Sequence, residues 1–258
     1  MLTGDGATRG PGAYPGTQRA RRLRPGLRIY CIGDIHGRSD LLAQMRATIA
    51  ADLRVRPCPE KLIICLGDYV DRGPDSAGVL EALSDASAFG APLLLLRGNH
   101  EVMLMAFLRD PLELGSWRRF GGLETLASYG VSVNEAALGR GYEEAHQTFL
   151  ARFPARHRLL LERLELSVSV DDYFFTHAGV RPGVALESQS ERDLLWIRHD
   201  FLDHGGDFGK IVVHGHTPVA SADVQTNRIN IDTGAFATGR LTCLVLEGES
   251  HHFLTTHM

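Results

Sequence analysis

Three nearly all-apolar runs, at 27–32, 62–66 and 93–96, each end in a glycine-containing step that opens a polar cluster, and a helical pattern follows each one. Such a run has no polar face to show to water. It reads as a strand covered on both sides, the habit of parallel sheets flanked by helices. The alternation therefore predicts a parallel βαβαβ core. After the first strand, Leu41, Leu42, Met45, Ile49 and Leu53 recur at helical spacing behind Ser39, read as the cap; after the second, Val79, Leu80 and Leu83 follow Gly73-Pro74. A third helix is expected near Glu101. In sheets of this kind ligands bind beyond the carboxyl ends of the strands. The clusters Asp34-Ile35-His36, Asp68 to Arg72 and Gly98 to Glu101 all fall there.

The rest of the chain changes rhythm. Helical patterns at 124–128, 143–152 and 157–164 suggest a cap over about 103–165. From 166 onward short strands are expected at 166–170, 173–176, 211–214, 228–231, 241–246 and 252–255, with Asp171-Asp172 as a hairpin turn and a second, largely antiparallel sheet packed on the first. Residues 1–26, rich in Gly, Pro and Arg and without apolar periodicity, read as a disordered tail, leaving 27–258 as one catalytic domain.

The net charge is −4, and the arginine-rich start of the chain leaves the remainder acidic. An acidic body argues against general nucleic-acid binding but not against a local phosphate site. Cys31, Cys58, Cys65 and Cys243 lack CxxC spacing and read as buried free thiols, as in a reducing compartment. With no apolar stretch near ~20 residues and no signal-type N-terminus, no membrane span is expected and the cytoplasm is the expected location.

Asp34, His36, Asp68, Asn99, His177 and His216 each follow an apolar strand. Carboxylate, imidazole and amide oxygen suit Mn²⁺, Fe or Zn²⁺, and no thiolate is offered. Six ligands exceed one open catalytic ion but suit two ions ~3.5–4 Å apart sharing a carboxylate, with Asp68 the natural bridge. Any one cluster alone reads more readily as an Asx turn with a satisfied histidine. Three in register, at 34, 68 and 99, do not.

The motifs Gly33-Asp34-Ile35-His36-Gly37, Gly67-Asp68-Tyr69-Val70-Asp71-Arg72-Gly73 and Gly98-Asn99-His100-Glu101 resemble the signature motifs of the phosphoprotein phosphatase family, within the calcineurin-like metallophosphoesterases. The likeness is closest to compact bacterial and phage members. It continues through Thr176-His177-Ala178-Gly179 and Gly215-His216-Thr217-Pro218, covering about 27–247.

The resemblance implies an α/β four-layer sandwich, two mixed β-sheets flanked by helices, with a helical cap. It places one divalent ion on Asp34, His36 and Asp68 and the other on Asp68, Asn99, His177 and His216, with Mn²⁺ the first choice and Fe or Zn the alternatives. A metal-bridging hydroxide would attack phosphorus in line, without a covalent enzyme intermediate. His100 would be the general acid and Asp71 its partner, while Arg72, Arg198 and Asn99 would hold the phosphate. Between His214 and His216 the motif selects His216. The implied activity is that of a serine/threonine, or dual-specificity, protein phosphatase acting on a phosphoprotein or small phosphoester. A symmetrical bis(5′-nucleosyl)-tetraphosphate hydrolase is the alternative. That sister group typically carries Ala at the position of Asp71 and Asp at that of Glu101, so both residues here favour the phosphatase. A non-catalytic phosphate-binding scaffold is a third reading, disfavoured because all six ligand positions are filled. Trp117 with Gly121-Gly122 also resembles the compact phosphatases, although helix packing and a turn account for it equally.

Overall fold

The computed structural model describes residues 21–256. The chain runs β1 (Leu27–Ile32), α1 (Ser39–Val55), β2 (Glu60–Cys65), α2 (Ser76–Ser84), β3 (Leu93–Leu95) and α3 (Asn99–Phe107). The short helices α4 (Leu114–Trp117), α5 (Gly122–Ser128), α6 (Asn134–Ala137), α7 (Tyr142–Arg152) and α8 (Ala155–Glu162) follow. Then come β4 (Ser167–Val170), β5 (Tyr173–Thr176), α9 (Glu191–Trp196), α10 (His199–Leu202), β6 (Ile211–His214), β7 (Asp223–Val224), β8 (Arg228–Asn230), α11 (Ala235–Thr238), β9 (Thr242–Glu247) and β10 (Ser250–Thr255).

Two five-stranded mixed sheets form, ordered β10-β9-β1-β2-β3 and β4-β5-β6-β8-β7. As expected, β1 pairs parallel with β2, and β2 with β3. Every residue of β1 is buried, as a central strand requires. Its two faces serve two cores: Tyr30 and Ile32 pack with Leu41, Met45 and Leu80 under the helices, whereas Ile29 and Cys31 pack with Phe175 and Val213 of the second sheet. This alternation makes the sandwich.

Three expectations need correction. The strands near 241–246 and 252–255 were expected in the second sheet, but β9 lies antiparallel beside β1 and β10 beside β9, extending the first. The second sheet is not largely antiparallel, since β5–β6 and β6–β8 are parallel and only its outer pairs are antiparallel. The long connection from β5 to β6, carrying α9 and α10, supplies the crossover that parallel pairing needs. Ser39 does not cap α1; its hydroxyl donates to Asp75 Oδ2 at 2.5 Å, and Asp75 is itself the N-cap of α2, accepting from Gly78 N at 2.8 Å. The Asp171-Asp172 hairpin does form, with Asp171 at φ 48°.

Of the expected tail, residues 1–20 lie outside the described residues. Residues 21–26 lie on the body, so order begins before Leu27. Leu23 is 1% exposed within the inter-sheet core, the backbone N–H groups of Arg22 and Arg24 donate to Asp172 and Asp171, and Arg21 pairs with Asp207 at 2.6 Å. Leu23 is the segment's buried apolar anchor and the remaining ties are polar, which is why apolar periodicity gave no sign of it. Among the described residues no helix is long and apolar enough to cross a membrane.

Candidate metal centre and phosphate site

Five of the six non-glycine residues with positive φ among the described residues are His36, Asp68, Asp71, Arg72 and His216. Left-handed backbone is costly for side chains with a Cβ and persists where the surroundings enforce it. All five sit in turns just after strands β1, β2 and β6. Strain is concentrated where the sequence placed its candidate ligands.

Helix α3 starts at Asn99, so Asn99, His100 and Glu101 share its first turn. Glu101 turns inward, and its two oxygens accept from the backbone N–H groups of Gly98, Asp68 and Tyr69 at 2.8, 2.9 and 2.7 Å. One buried carboxylate thus clamps the α3 N-terminus to the β2 loop and aims Asp68. Gly98 has to be glycine, because a Cβ there would lie 2.1 Å from Asp68 Oδ1.

Asp68 is the hub. Its Oδ2 lies 3.5 Å from His36 Nε2, 3.4 Å from His177 Nε2 and 3.8 Å from His100 Nε2. Asn99 Oδ1 is 2.9 Å from both His177 Nε2 and His216 Nδ1. The ring orientations are fixed from behind: Nδ1–H of His36 donates to the Val70 carbonyl at 2.8 Å and Nδ1–H of His177 to that of Leu66 at 3.0 Å, so both Nε2 atoms face Asp68. Asp34 Oδ2 accepts from His216 N at 3.1 Å, while its buried Oδ1 has no hydrogen-bond partner.

Asp71 is fully buried. Its Oδ2 accepts from His100 Nδ1 and from Trp117 Nε1, both at 2.7 Å, and its Oδ1 accepts from the Thr125 hydroxyl at 2.6 Å. Arg72 Nη2 stands 3.2 Å from His100 Nε2, and Arg198 Nε donates to His216 Nε2 at 3.2 Å. All ten residues singled out in the sequence therefore meet in one place. His214 does not join them; its ring packs edge-on against Phe201, 4.9 Å between centroids.

Sequence reasoning missed Asp232, buried just after β8 and electrostatically tied to Asp34. Ile231-Asp232-Thr233-Gly234 repeats the strand-then-acid-then-glycine pattern used for the other clusters, so the signal was present. It also gave Trp117 little weight and missed Thr125, whose link to Asp71 spans 54 residues.

The electrostatics ask for cations. Burial and the neighbouring Asp232 charge push Asp34 well above the usual carboxylate range, and burial lifts Asp232 to about 6. Burial works against both Asp68 and His177, yet their proximity holds the Asp68 carboxyl low and lifts the His177 imidazole to about 9. Burial lowers His36 to about 3 and His216 to about 2, leaving both neutral with lone pairs available. Two clusters, His36 with Asp68 and His100, and Asp68 with His177 and His216, have nitrogen and oxygen atoms close enough to hold ions, and Asp68 belongs to both. The orphaned Asp34 oxygen, the shared Asp68 oxygen and an all-nitrogen-and-oxygen donor set fit divalent metals. His100 Nδ1 is taken up by Asp71, which suits it to proton transfer more than to ligation.

The chain is similar to known proteins. Residues 27–245 match the calcineurin-like phosphoesterase family model. An asymmetrical bis(5′-nucleosyl)-tetraphosphatase, PrpE, of Anoxybacillus flavithermus is 27% identical, covering 83% of this chain and 88% of the relative. Serine/threonine-protein phosphatase 1 of Salmonella typhimurium is 26% identical, covering 83% of this chain and 89% of the relative. Among solved structures, one described as a putative diadenosine tetraphosphatase superposes with a TM-score of 0.61 at 19% identity, covering 91% of this chain and 96% of that one. The strand-end carboxylates and histidines, the two mixed sheets and the span of the family match lead to one conclusion: the chain belongs to the calcineurin-like phosphoesterases and is a metallophosphoesterase hydrolase.

Proposed function

We propose that the chain is a dinuclear-metal phosphomonoesterase whose substrates are phosphorylated serine or threonine side chains, with tyrosine also admitted. The observation that carries this reading is the buried pair of His100 and Asp71, seated 2.7 Å apart beside Asp68 and fixed by Trp117 and Thr125. An alkoxide is a poor leaving group and needs a proton as its bond to phosphorus breaks. A nucleotide leaving from a phosphoanhydride carries its charge well and needs none. A dedicated, carboxylate-backed acid therefore favours the ester of an alcohol.

Asp34, His36 and Asp68 would hold one cation and Asp68, Asn99, His177 and His216 the other. When bound, two divalent ions supply Lewis acidity toward water and the phosphoryl oxygens. The chain's own residues do the rest. Arg72 stands beside His100 and Arg198 beside His216, and their planar guanidinium groups suit the oxygens of a tetrahedral phosphate. His100 Nε2 delivers the proton to the departing oxygen, and Asp71 holds the imidazole in register and stabilises its charged form. Burial opposes protonation of His100, but the carboxylates of Asp68 and Asp71 raise its pKa above the usual histidine value.

A second reading, hydrolysis of dinucleoside tetraphosphates, draws on the names of relatives of similar identity. The deciding experiment strips the protein with EDTA, restores Mn²⁺, Fe²⁺ or Zn²⁺ singly, and compares a phosphoserine peptide with a dinucleoside tetraphosphate. Higher kcat/KM on the peptide is expected. Preference for the tetraphosphate overturns the monoester reading.

A further inference from the structure

We propose that Phe120 is a specificity-determining residue whose ring packs against a planar, aromatic leaving group and so raises the chain's activity on aryl phosphoesters such as phosphotyrosine. The inference rests on the phosphomonoester reading above. A lone exposed phenylalanine on a protein surface is ordinary. Two observations set Phe120 apart.

The first is its place. Phe120 is 43% exposed, and its ring centroid lies 6.4 Å from that of His100. The leaving oxygen must come within hydrogen-bond reach of His100 Nε2, so the first atoms of the leaving group occupy the space just outside that imidazole. Arg72 lies on the same side, 3.2 Å from His100 Nε2, with its guanidinium 4.9 Å from the Phe236 ring centroid. A departing serine offers one methylene to this region. A departing phenol offers a flat ring, which an aromatic neighbour can meet offset-stacked or edge-on.

The second is its rigidity. Residues on both sides of Phe120 are tied to the proposed catalytic residues. Trp117 is bound through its indole N–H to Asp71, and the Gly121 carbonyl accepts from Arg72 N at 3.2 Å. Gly121 sits at φ 99°, and a Cβ there would lie 2.4 Å from Arg72 N, so only glycine permits this approach. One cap segment thus seats the partner of the acid and holds an aromatic ring beside the acid's outer face. A side chain placed by such fixed neighbours acts as a preorganised wall.

The test compares wild type, Phe120→Leu and Phe120→Trp, each as the full chain saturated with Mn²⁺, on two peptides of identical flanking sequence carrying phosphotyrosine or phosphoserine. Leucine keeps apolar bulk and loses the aromatic face; tryptophan keeps the face. Phe120→Leu is expected to lower kcat/KM for the phosphotyrosine peptide by roughly 3- to 10-fold, the worth of one aromatic pair, while the phosphoserine value stays within about twofold. Phe120→Trp is expected to restore the phosphotyrosine value. The phosphoserine peptide guards against a folding defect, since a misfolded variant loses both activities. Equal changes on the two peptides, or no change on phosphotyrosine, overturn this inference alone. A wild-type chain inactive on both peptides overturns the monoester reading and this inference with it.

Discussion

Replacing Asp71 with asparagine removes a charge and almost nothing else. The amide oxygen can keep facing His100 Nδ1 and Trp117 Nε1, now both 2.7 Å from Oδ2, while the amide nitrogen takes the place of Oδ1 opposite the Thr125 hydroxyl. A hydrogen bond to a charged partner contributes about 1.5–3 kcal/mol, against about 1 for a neutral pair. The charged imidazole of His100 should therefore lose about 0.5–2 kcal/mol of support, and at 1.36 kcal/mol per tenfold the protonated fraction, and with it kcat on the alkaline side, should fall roughly 2- to 30-fold. The sign of the pH effect follows. Burial opposes the proton on His100, and Asp68 and Asp71 together hold it on above the ordinary value. Without the Asp71 charge the proton leaves at lower pH, and the alkaline limb of the rate profile should move down by about one unit. Kinetics on a phosphoserine peptide from about pH 6 to 9, with metal content measured on the same samples, reads both quantities. An unchanged kcat with an unmoved alkaline limb would refute the acid role of the pair, and loss of metal alongside kcat would show Asp71 supporting the ligands instead.

Three further outcomes are expected. His100→Asn should keep its metals and lose roughly 10²- to 10⁴-fold in kcat, the usual worth of a positioned acid; if activity survived, His100 would not be that acid. Leu23→Ala should cost roughly 2–5 kcal/mol in chemical denaturation, because the side chain is buried between the sheets; a cost below about 0.5 kcal/mol would return residues 21–26 to the tail. His214 is held neutral by burial, its pKa lowered to about 3, so its contribution is present above the unfolded value of about 6.5 and is lost as pH falls toward 3. Between about pH 7.5 and 5 the metal-free wild type should lose about 2 kcal/mol more stability than His214→Asn, and parallel pH slopes would contradict that.

The first sheet's parallel core was legible because β1 announces its burial residue by residue and β2 does so over its last three residues, and the polar clusters stood out against them. The partners of β9 and β10 were not, since an apolar strand fits any sheet until its neighbours are known. The six candidate ligand positions could be read one strand end at a time. What holds them could not: Glu101 gathers backbone N–H groups from two loops, and Asp71 is seated by Trp117 and Thr125, 46 and 54 residues away. Asp232 obeyed the same local rule as Asp34 and Asp68 but belongs to none of the motifs that were singled out, and so was missed.

The central claim is that Asp68 joins two cation sites, since its Oδ2 faces His36 on one side and His177 on the other. It is tested most directly by stripping wild type and Asp68→Asn with EDTA, equilibrating each with excess Mn²⁺, removing unbound metal and counting manganese per chain. The expected result is about two for wild type and fewer than about one for Asp68→Asn, because a shared carboxylate supports both ions. Two manganese ions retained by Asp68→Asn, or none bound by wild type, would contradict it.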